Sequence, residues 1–489
     1  MTWFWLLACS PEASDCAPGF LRDEGGNCVP APEARDSGDS GDSAPPSDEG
    51  FTLGPVQSCE QPASPAWTQH TLQGFELTGI SSDPASVVAF EHEGQVLLAA
   101  SHGSHAVAWW GVDGSLQGQT ETQDGFGRFA IVDLDGDGAL DLLRWAMEVE
   151  IRWSFLEQSH DSVLLQIPDS CKGPVDVLPQ DLDHDGDLDL LLAAQFGCED
   201  DRSLGVARNQ GGRDFDSPEP LSEQAEFLRS SVHVVSFDLD QDGDPDALTC
   251  SGNVDGGHGS VLWRNDGAGQ MLPEAGPIDE ASCMSTSQGD LDGDGQLDLF
   301  AAGLSPEDGE VSQVWSSALG DLDNDGQLDL VLAVGDFQGI PDRGFYPLQV
   351  FLQEQGELVE QASALGLDEE LDARGVLTQD LNGDGALDLF VAQREGEPRL
   401  WLSQTCLEGH WLAVEAPAGT LVEARAGEQR FTALVDTHPG FASQGLPRAH
   451  LGLGQVPELD ELVLHPPWSE AVRLRGPIQV DRVVGYSPP

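Results

Sequence analysis

Six short acidic segments share the pattern Asp-x-Asp-x-Asp-Gly-x-x-Asp, with Asn replacing one Asp in the last of them. Carboxylates at positions 1, 3, 5 and 9 of a tightly curled loop converge on one point, and Gly at position 6 permits the positive φ that the curl requires. Because four like charges this close repel one another, the pattern indicates a bound cation. Hard oxygen ligands without His or Cys favour Ca²⁺ over a transition metal, and Mg²⁺ is less suitable because it retains more water.

The predicted metal ligands lie at positions 1, 3, 5 and 9 of these segments, which we number loops 1 to 6 in chain order. They are, loop by loop, Asp133, Asp135, Asp137 and Asp141; Asp181, Asp183, Asp185 and Asp189; Asp238, Asp240, Asp242 and Asp246; Asp290, Asp292, Asp294 and Asp298; Asp321, Asp323, Asp325 and Asp329; and Asp380, Asn382, Asp384 and Asp388. We expect about six structural Ca²⁺ sites, one for each loop.

An EF-hand does not fit this pattern, because it requires a bidentate Glu at position 12 and a helix on each side. Position 12 is Arg, Leu, Thr, Ala, Leu and Val in the six loops. From position 8 onward the loops continue into a short, mostly apolar run, such as the Leu-Asp-Leu-Leu sequence that begins at Leu140. That length and composition predict a buried β-strand after each loop.

The repeated order of strand, Asp-rich loop and strand resembles the FG-GAP (or VCBS) repeats of integrin-α-type β-propellers. The resemblance implies four-stranded blades in which the calcium loop joins the first two strands. Successive loops begin 48, 57, 52, 31 and 59 residues apart. Four of these intervals fit a four-stranded blade, and the 31-residue interval predicts an abbreviated one. Residues 85–112 have strand-like runs without an Asp loop, so we interpret them as a degenerate first blade.

Residues 406–489 lack acidic loops and resemble the ASPIC/UnbV domain of the cartilage acidic protein 1 family and its bacterial relatives. The resemblance rests on Trp411, the Gly-Phe-Ala-Ser-Gln sequence from Gly440, the His-Leu-Gly-Leu-Gly sequence from His450, and the Pro-rich strand end before Trp468. The Asn-rich turn typical of that family is shortened here. The predicted fold is therefore all-β: a seven-bladed or six-bladed propeller over residues 59–405, followed by a small β-sandwich-like domain.

The N-terminal sequence MTWFWLLAC resembles the lipobox of bacterial lipoproteins, in which the Cys is acylated and becomes the first mature residue. We therefore predict a signal-like segment at residues 1–8 and lipidation of Cys9, although no basic residue precedes it; an ordinary or truncated secretory signal is the alternative. Residues 9–58 are predicted to form a Cys-bracketed loop and an acidic, disordered tether. These features predict an outer-membrane lipoprotein or a secreted protein of the bacterial cell envelope.

Nine cysteines indicate an oxidising compartment, and eight remain if Cys9 is lipidated. The sequence predicts three local pairs and leaves two cysteines that flank the repeats, which a closed propeller would bring together. The predicted pairs are Cys16 with Cys28, Cys171 with Cys198, Cys250 with Cys283, and Cys59 with Cys406.

The net charge of −65, from 86 acidic and 21 basic residues, excludes nucleic acid and anionic membranes as partners, because phosphate binding requires basic patches. Membrane attachment would depend on the lipid anchor alone. The scattered His residues form no catalytic motif. We therefore predict a non-enzymatic adhesion, binding or scaffold protein with an extracellular protein or glycan ligand. The alternative, suggested by twelve Trp against two Tyr, is a lectin or a carbohydrate hydrolase or lyase that uses the central propeller face.

Overall fold

The computed structural model describes most of the chain beyond residue 50. The described residues are 50–57, 67–72, 86–101, 107–120, 126–146, 148–157, 161–165, 174–194, 204–221, 231–239, 242–250, 260–276, 278, 283–303, 312–336, 345–394, 396–403 and 407–488, with three short strands nearer the N-terminus. Their regular secondary structure is almost entirely β-strand, with one helical turn at Phe155–Glu157 and one α-helix, α1, at Ala362–Leu365. None of the described helices is long and apolar enough to cross a membrane.

Forty strands lie in this part of the chain, and we number them in chain order. Those before the repeats are β1 (Trp5–Leu7), β2 (Phe20–Arg22), β3 (Cys28–Pro30), β4 (Phe51–Leu53) and β5 (Trp67–His70). Those of the repeats are β6 (Val87–His92), β7 (Gln95–Ser101), β8 (Val107–Gly111), β9 (Leu116–Gln119), β10 (Phe126–Val132), β11 (Asp141–Ala146), β12 (Val149–Arg152), β13 (Ser162–Leu165), β14 (Pro174–Gln180), β15 (Asp189–Ala194), β16 (Leu204–Ala207), β17 (Glu219–Pro220), β18 (His233–Phe237), β19 (Asp246–Cys250), β20 (Ser260–Asn265), β21 (Met271–Ala275), β22 (Ser285–Gly289), β23 (Asp298–Ala302), β24 (Ser312–Gly320), β25 (Asp329–Asp336), β26 (Tyr346–Pro347), β27 (Gln349–Glu354), β28 (Glu357–Glu360), β29 (Glu370–Leu371), β30 (Ala373–Gln379), β31 (Asp388–Gln393) and β32 (Arg399–Ser403). The C-terminal strands are β33 (His410–Glu415), β34 (Leu421–Ala426), β35 (Gln429–Leu434), β36 (Ser443–Gln444), β37 (Arg448–Gly454), β38 (Glu458–His465), β39 (Val472–Gln479) and β40 (Arg482–Tyr486).

The repeats fold as consecutive antiparallel sheets, as the sequence predicted for a β-propeller. The sheet orders are β6-β7-β8-β9, β10-β11-β12-β13, β14-β15-β16-β17, β18-β19-β20-β21, β22-β23, β24-β25-β27-β28 and β30-β31-β32. The first of these sheets has no Asp loop, which confirms the degenerate unit. The sheet that contains loop 4 has two strands of its own, β22 and β23, in the described residues. Residues 304–311, which follow β23, lie outside the described residues, so the abbreviated unit stays a prediction. The number of blades stays a prediction.

The strand that follows each Asp loop packs between two neighbouring sheets. All eight residues of β25 are buried, and its apolar side chains share a core with those of β30 and β31 in the next sheet. A strand covered on both faces requires apolar residues on both faces, which explains the continuous apolar runs after the loops.

N-terminal strands complete three sheets that otherwise consist of later residues. β5 pairs with β32 as the outer strand of the last repeat sheet, which joins the two ends of the repeat region. β4, which lies inside the segment that we predicted as a tether, pairs with β40 at the end of the chain. β1 pairs with β23 and adds a third strand to the sheet that contains loop 4.

The C-terminal strands form two four-stranded sheets, β37-β33-β40-β4 and β35-β34-β38-β39. Buried aliphatic residues from both sheets, among them Leu412, Val422, Leu462 and Val484, form one continuous core. This arrangement confirms the predicted β-sandwich. We call residues 407–435 and 448–488, with β4, the C-terminal sandwich.

One predicted disulfide lies within the described residues, and the structure confirms it: Cys250 at the end of β19 is bonded to Cys283 just before β22. This bond joins two neighbouring repeat sheets. Cys9, Cys16, Cys59, Cys171, Cys198 and Cys406 lie outside the described residues, so lipidation and the other pairings stay predictions.

Candidate metal centres

Each Asp loop connects the first and second strands of its sheet. The strand register closes the loop by pairing position 9 with the residue before position 1, as in the pair of Val132 and Asp141. The position-6 glycines have φ between +86° and +97°, so the expected curl is present in all six loops. The curl is held from inside: the position-1 carboxylate accepts a hydrogen bond from the amide of the position-6 glycine in each loop, at 2.7–3.2 Å.

Two further backbone contacts recur in the loops. One oxygen of the position-5 carboxylate accepts a hydrogen bond from the amide of position 7, at 2.8–3.0 Å, in all six loops. Position 4 also has a positive φ in the five loops where it is described, and it is occupied by Gly136, His184, Gly293, Asn324 and Gly383. Position 4 was not among the predicted features of the loop, although Gly and Asn are the residues that tolerate this conformation best.

Four loops bring three predicted ligands together, with ligand oxygens within 4.8 Å of one another. The clusters are Asp133, Asp135 and Asp141; Asp181, Asp183 and Asp185; Asp290, Asp292 and Asp294; and Asp321, Asp323 and Asp325. Within the described residues, loops 3 and 6 show no such cluster of three acidic side chains. Asp240 of loop 3 lies outside those residues, and loop 6 has Asn382 at position 3.

The position-9 carboxylates are buried and bonded to the backbone. Asp141 is fully buried; its two oxygens accept hydrogen bonds from the amides of Leu134 and Ser154, at 2.9 and 2.8 Å. The carboxylates of Asp329 and Asp388 likewise each accept two hydrogen bonds from backbone amides. One amide belongs to the same loop and the other to the third strand of the sheet. In loops 1, 5 and 6 position 9 therefore ties the loop to its sheet, and in loop 1 it also joins the cluster of converging carboxylates.

Burial raises the pKa of many of these carboxyl groups. It raises the pKa of Asp329 to about 8 and those of Asp141, Asp290 and Asp384 to about 6. The pKa of Asp321 lies well above its usual range, first because the group is buried and second because Asp329 is close. Charge in such surroundings is costly unless a cation compensates it.

The donor set fits a hard divalent cation. Oδ1 of Asp183 and Oδ2 of Asp384 are buried and have no hydrogen-bond donor among the described residues. Buried carboxylate oxygens without donors are rare in folded proteins, and coordination to a metal satisfies them. In the four clustered loops the carboxylates of positions 1 and 3, with position 9 in loop 1 and position 5 in loops 2, 4 and 5, would hold a Ca²⁺ ion. The ion would supply the positive charge that buried acidic groups require.

Three arginines balance part of the acidic charge, and the sequence analysis missed them. Arg208 and Arg264 form ion pairs with the position-9 carboxylates of loops 2 and 3, at 2.6 and 2.9 Å. Arg213 binds Asp135 and Asp137 of loop 1, at 2.6 and 3.3 Å. Arg208 and Arg264 each begin an Arg-Asn-x-Gly sequence, and that repeated signal could have identified them.

The asparagines of this Arg-Asn-x-Gly sequence connect neighbouring sheets. The side-chain amide of Asn209 donates a hydrogen bond to the carbonyl of Leu134 in loop 1, at 3.1 Å, and Asn265 donates to the carbonyl of Leu182 in loop 2, at 2.9 Å. Loops 1 and 2 are thus each bonded to a residue that follows the third strand of the next repeat sheet or ends it. Disturbing one loop therefore affects its neighbour.

The C-terminal sandwich covers the face of the repeat region that carries the Asp loops. Nε2 of His450 and Oδ1 of Asn324 are 2.8 Å apart, and the Asn324 carbonyl accepts a hydrogen bond from the amide of Gly454 at 3.0 Å. Three further residues of the sandwich contact other loops. The indole of Trp411 packs against Gly385 of loop 6. The hydroxyl of Thr432 donates a hydrogen bond to the carbonyl of Gly295 in loop 4, and the amide of Trp468 donates one to the carbonyl of Gly243 in loop 3. In loop 2, the ring of His184 packs on Trp468 with a centroid distance of 4.8 Å. Together with the contacts above, this means that loops 2 to 6 all contact the sandwich.

Residues 436–447, which we call the central segment, lie among the first strands of the repeat sheets. Its Phe441 is fully buried; the Arg128 guanidinium lies 4.0 Å from the ring centroid, and the rings of His233 and Trp315 lie about 6 Å away. Its backbone and polar groups bond to several of these strands. Val87 N donates to Ala442 O, Phe441 N to Ser285 Oγ, and Ser287 Oγ to Pro439 O. The side-chain amide of Gln444 accepts from the backbone N–H of Ile131 and donates to its carbonyl, and that of Gln379 does the same with Leu446.

Two glycines allow the central segment to approach this closely. A Cβ atom on Gly375 would lie 2.4 Å from the carbonyl oxygen of Ala442, and one on Gly440 would lie 2.2 Å from that of Ser317. The segment therefore fills the space between the first strands of β-sheets that are far apart in sequence. His233, which sequence analysis treated only as one of several scattered histidines, lies in this space and bonds to Asp176 at 2.8 Å.

Comparisons with known proteins identify the repeats. A family model described as "FG-GAP-like repeat" matches residues 181–249, 238–301 and 321–391, which include loops 2 to 6. No curated protein matches the chain.

Two solved structures resemble the chain over much of its length. "Crystal structure of BBS1N in complex with ARL6DN, soaked with mercury" is 11% identical, covers 70% of this chain and 97% of that one, and has a TM-score of 0.42. "Crystal structure of WD40 beta propeller domain of Doa1" is 14% identical, covers 69% and 97%, and has a TM-score of 0.38. These superpositions are loose, and the evidence for the fold is the chain's own series of antiparallel sheets. The chain contains FG-GAP-like repeats that fold as a β-propeller.

Proposed function

We propose that the protein is a calcium-stabilised β-propeller that acts as a binding, adhesion or scaffold protein. The observation that carries the proposal is the burial of loop 5 beneath the C-terminal sandwich. Asp321 and Asp329 are nearly inaccessible there, and burial raises the pKa of both carboxyl groups. A protein that buries two acidic side chains beside two further carboxylates gains stability from a cation among them.

The expected contribution of calcium is large compared with the stability of a domain. Extracellular calcium sites have dissociation constants of about 0.1–1 mM. At ten times such a concentration each site adds about 1.4 kcal/mol by mass action. About six sites together would add about 8 kcal/mol, against a typical unfolding free energy of about 5–15 kcal/mol. Calcium would then be a structural component of the fold.

The test combines elemental analysis with thermal unfolding of the full chain. EDTA should lower the melting temperature by many degrees, Ca²⁺ should restore it, and Mg²⁺ should restore it poorly. Asp325→Asn should lower the melting temperature in Ca²⁺ and matter far less in EDTA. Asp368→Asn, at an exposed position outside the loops, is the matched control. A melting curve that EDTA leaves unchanged, in protein shown to be metal-free, would refute the calcium role.

The proposal extends to where the protein acts. We propose that Cys9 is acylated, that the chain is displayed on a bacterial cell envelope, and that the C-terminal sandwich is an ASPIC/UnbV-type domain. The lipobox-like sequence and the Gly-Phe-Ala-Ser-Gln and His-Leu-Gly-Leu-Gly sequences support these assignments. A Cys9→Ser variant should move from the membrane fraction to the soluble fraction. Unchanged fractionation would contradict the anchor.

The partner would be an extracellular protein or glycan. The net charge of −65 disfavours nucleic acid, because the phosphate backbone and the protein surface would repel each other.

A further inference from the structure

A cavity of about 570 Å³ lies between the repeat sheets and the C-terminal sandwich. Its floor is formed by the ends of β6, β10 and β14 and by parts of loops 1 and 2, and its cover by the central segment and two turns of the sandwich. The volume falls within the range of about 300–1,000 Å³ that small-ligand sites occupy. None of the contacts described above accounts for this space.

Two aromatic side chains in the cavity wall carry polar atoms without protein partners. Nε1 of Trp468 and Nε2 of His438 are buried, and no described residue forms a hydrogen bond with either. His184 packs on one face of the Trp468 indole, which holds the ring in place. Because buried polar atoms without partners are costly, a ligand with hydroxyl groups would stabilise this wall.

The walls favour an uncharged ligand. Burial lowers the pKa of His438 to about 4, so its ring is neutral at physiological pH. Asp133 and Asp181 also line the cavity, but both belong to the set that calcium would neutralise. Glu91 is the remaining acidic group in the wall, and it is exposed. A strongly acidic ligand would meet only neutral or acidic groups here.

The backbone of the wall does not suit an extended peptide. Pro179, Pro417, Pro447 and Pro467 all line the cavity, and proline has no amide N–H to donate. Peptides that bind by strand addition require a row of free backbone donors and acceptors. A pyranose ring has different requirements, since one face of C–H groups packs on an indole ring while its hydroxyl groups bond to side chains.

We propose that this cavity binds a short neutral saccharide. Trp468 is the stacking platform, and Nε2 of His438 and the side-chain amide of Gln180 bond to hydroxyl groups. The inference rests on the proposed binding function and specifies its ligand class and position. The site lies at the edge of the sandwich and involves three repeat sheets, whereas the centre among the first strands is occupied by Phe441.

The test uses the full chain in calcium and saturation-transfer NMR, followed by calorimetric titration. The probes are neutral oligosaccharides of two to four units from the cello, manno, xylo, malto and chito series, with oligogalacturonates and an unrelated peptide library as competitors of other classes. At least one neutral series should bind with a dissociation constant of about 1 mM or lower, the weak range expected for a small ligand. Trp468→Ala should weaken that binding at least tenfold.

Two further variants separate loss of the ligand site from loss of fold. Ala418→Leu enlarges the side chain at an exposed position of the cavity wall, away from the loops. It should reduce saccharide binding while leaving the melting temperature nearly unchanged. Phe345→Ala removes an aromatic ring that is half exposed and lies outside the cavity, and should have no effect.

Four results would overturn the inference: no neutral oligosaccharide binds at 10-fold the expected constant, binding survives both cavity variants, only acidic saccharides bind, or only peptides bind. Elemental analysis and melting in EDTA on the same preparation report on the calcium role. That role can therefore stand when the saccharide site fails, and the saccharide site can stand when calcium does not stabilise the fold.

Discussion

The indole of Trp411 lies directly over Gly385, the position-6 glycine of loop 6. A Cβ atom on Gly385 would lie 2.1 Å from the indole nitrogen. The first strand of the C-terminal sandwich therefore rests on the backbone of a predicted calcium loop, at a distance that only glycine permits. One methyl group added at Gly385 would therefore disturb both the loop and the sandwich.

Gly385→Ala should destabilise the protein more than Gly138→Ala. Both glycines occupy position 6 and have φ of +86°, but Gly138 has no atom within 4 Å of its Cβ position. Both variants incur the cost of a left-handed conformation, about 1–2 kcal/mol. Only Gly385→Ala must also displace Trp411. Overpacking of this kind lowers the free energy of unfolding by about 1–3 kcal/mol more. Urea unfolding of both variants in calcium measures the difference, and equal losses would show that the contact with Trp411 contributes nothing.

The pH dependence of stability should have opposite slopes with and without calcium. Without metal, the folded-state pKa of Asp329 is about 8, and those of Asp141, Asp290 and Asp384 are about 6, all above the unfolded value of 3.8. These groups take up protons on folding, so their contribution is greatest at low pH and is lost as the pH rises through the folded-state values. In EDTA the melting temperature should therefore fall between pH 5 and pH 8.

With calcium, raising the pH from 5 to 8 should instead stabilise the folded protein, because the ion binds deprotonated carboxylates and protons compete with it. The increment in melting temperature that calcium provides should accordingly grow from pH 5 to pH 8. Asp329→Asn removes the group with the highest of these values and should flatten the curve in EDTA. A calcium increment that is constant across this range would contradict the assignment of these carboxylates as ligands.

Phe441→Ala should be among the most destabilising single substitutions in the chain. The ring is fully buried and contacts Arg128, His233 and Trp315 from three different sheets. Removal of a buried Phe costs about 3–5 kcal/mol, because the surrounding groups cannot close the cavity. Phe345→Ala, where the ring is half exposed, should change stability by no more than about 0.5 kcal/mol. If thermal unfolding gives similar values for the two variants, the central segment is not a structural part of the core.

Peptide mapping without reduction should find Cys59 bonded to Cys406. Neither residue is among those described, but their neighbours in sequence lead to the adjacent strands β5 and β32, where Ser403 pairs with Trp67. A disulfide that closes a loop of several hundred residues would contribute roughly 5 kcal/mol in the chain-entropy model. Recovery of Cys59 in a peptide joined to Cys16 or Cys28 would disprove this pairing.

The repeated units could be predicted from the sequence because each carries its own signal. The loop pattern specifies the curl at position 6, and the apolar run after it specifies a strand with both faces buried. The pairing of Cys250 with Cys283 was predictable for a similar reason, since each cysteine lies next to one repeat. These features depend on residues that are close in sequence, where spacing determines geometry.

The position of the central segment could not be predicted in this way. Its Gly-Phe-Ala-Ser-Gln sequence resembles that of a domain family, but nothing local indicates that Phe441 will pack among sheets more than a hundred residues earlier. Its partners Ser285 and Gln379 are ordinary polar residues on two different strands. Their role depends on closure of the repeat region, which brings them to one place. The ion pairs of Arg208 and Arg264 were not predicted for a different reason. Their signal is the repeated Arg-Asn-x-Gly sequence, which lies outside the acidic loop pattern.

The pairing of β4 with β40 has a consequence for how the protein is made. The side chain of Thr52 bonds to the carbonyl of Gly485, 433 residues later in the sequence, and β5 must likewise wait for β32. On a ribosome, the sheets of the middle repeats can form in order while both N-terminal strands, β4 and β5, remain unpaired. Contacts of such sequence separation form slowly and leave strand edges open to other chains. β32 and β40 are therefore the strands that complete these two sheets, and a nascent chain depends on protection from aggregation until both have been synthesised.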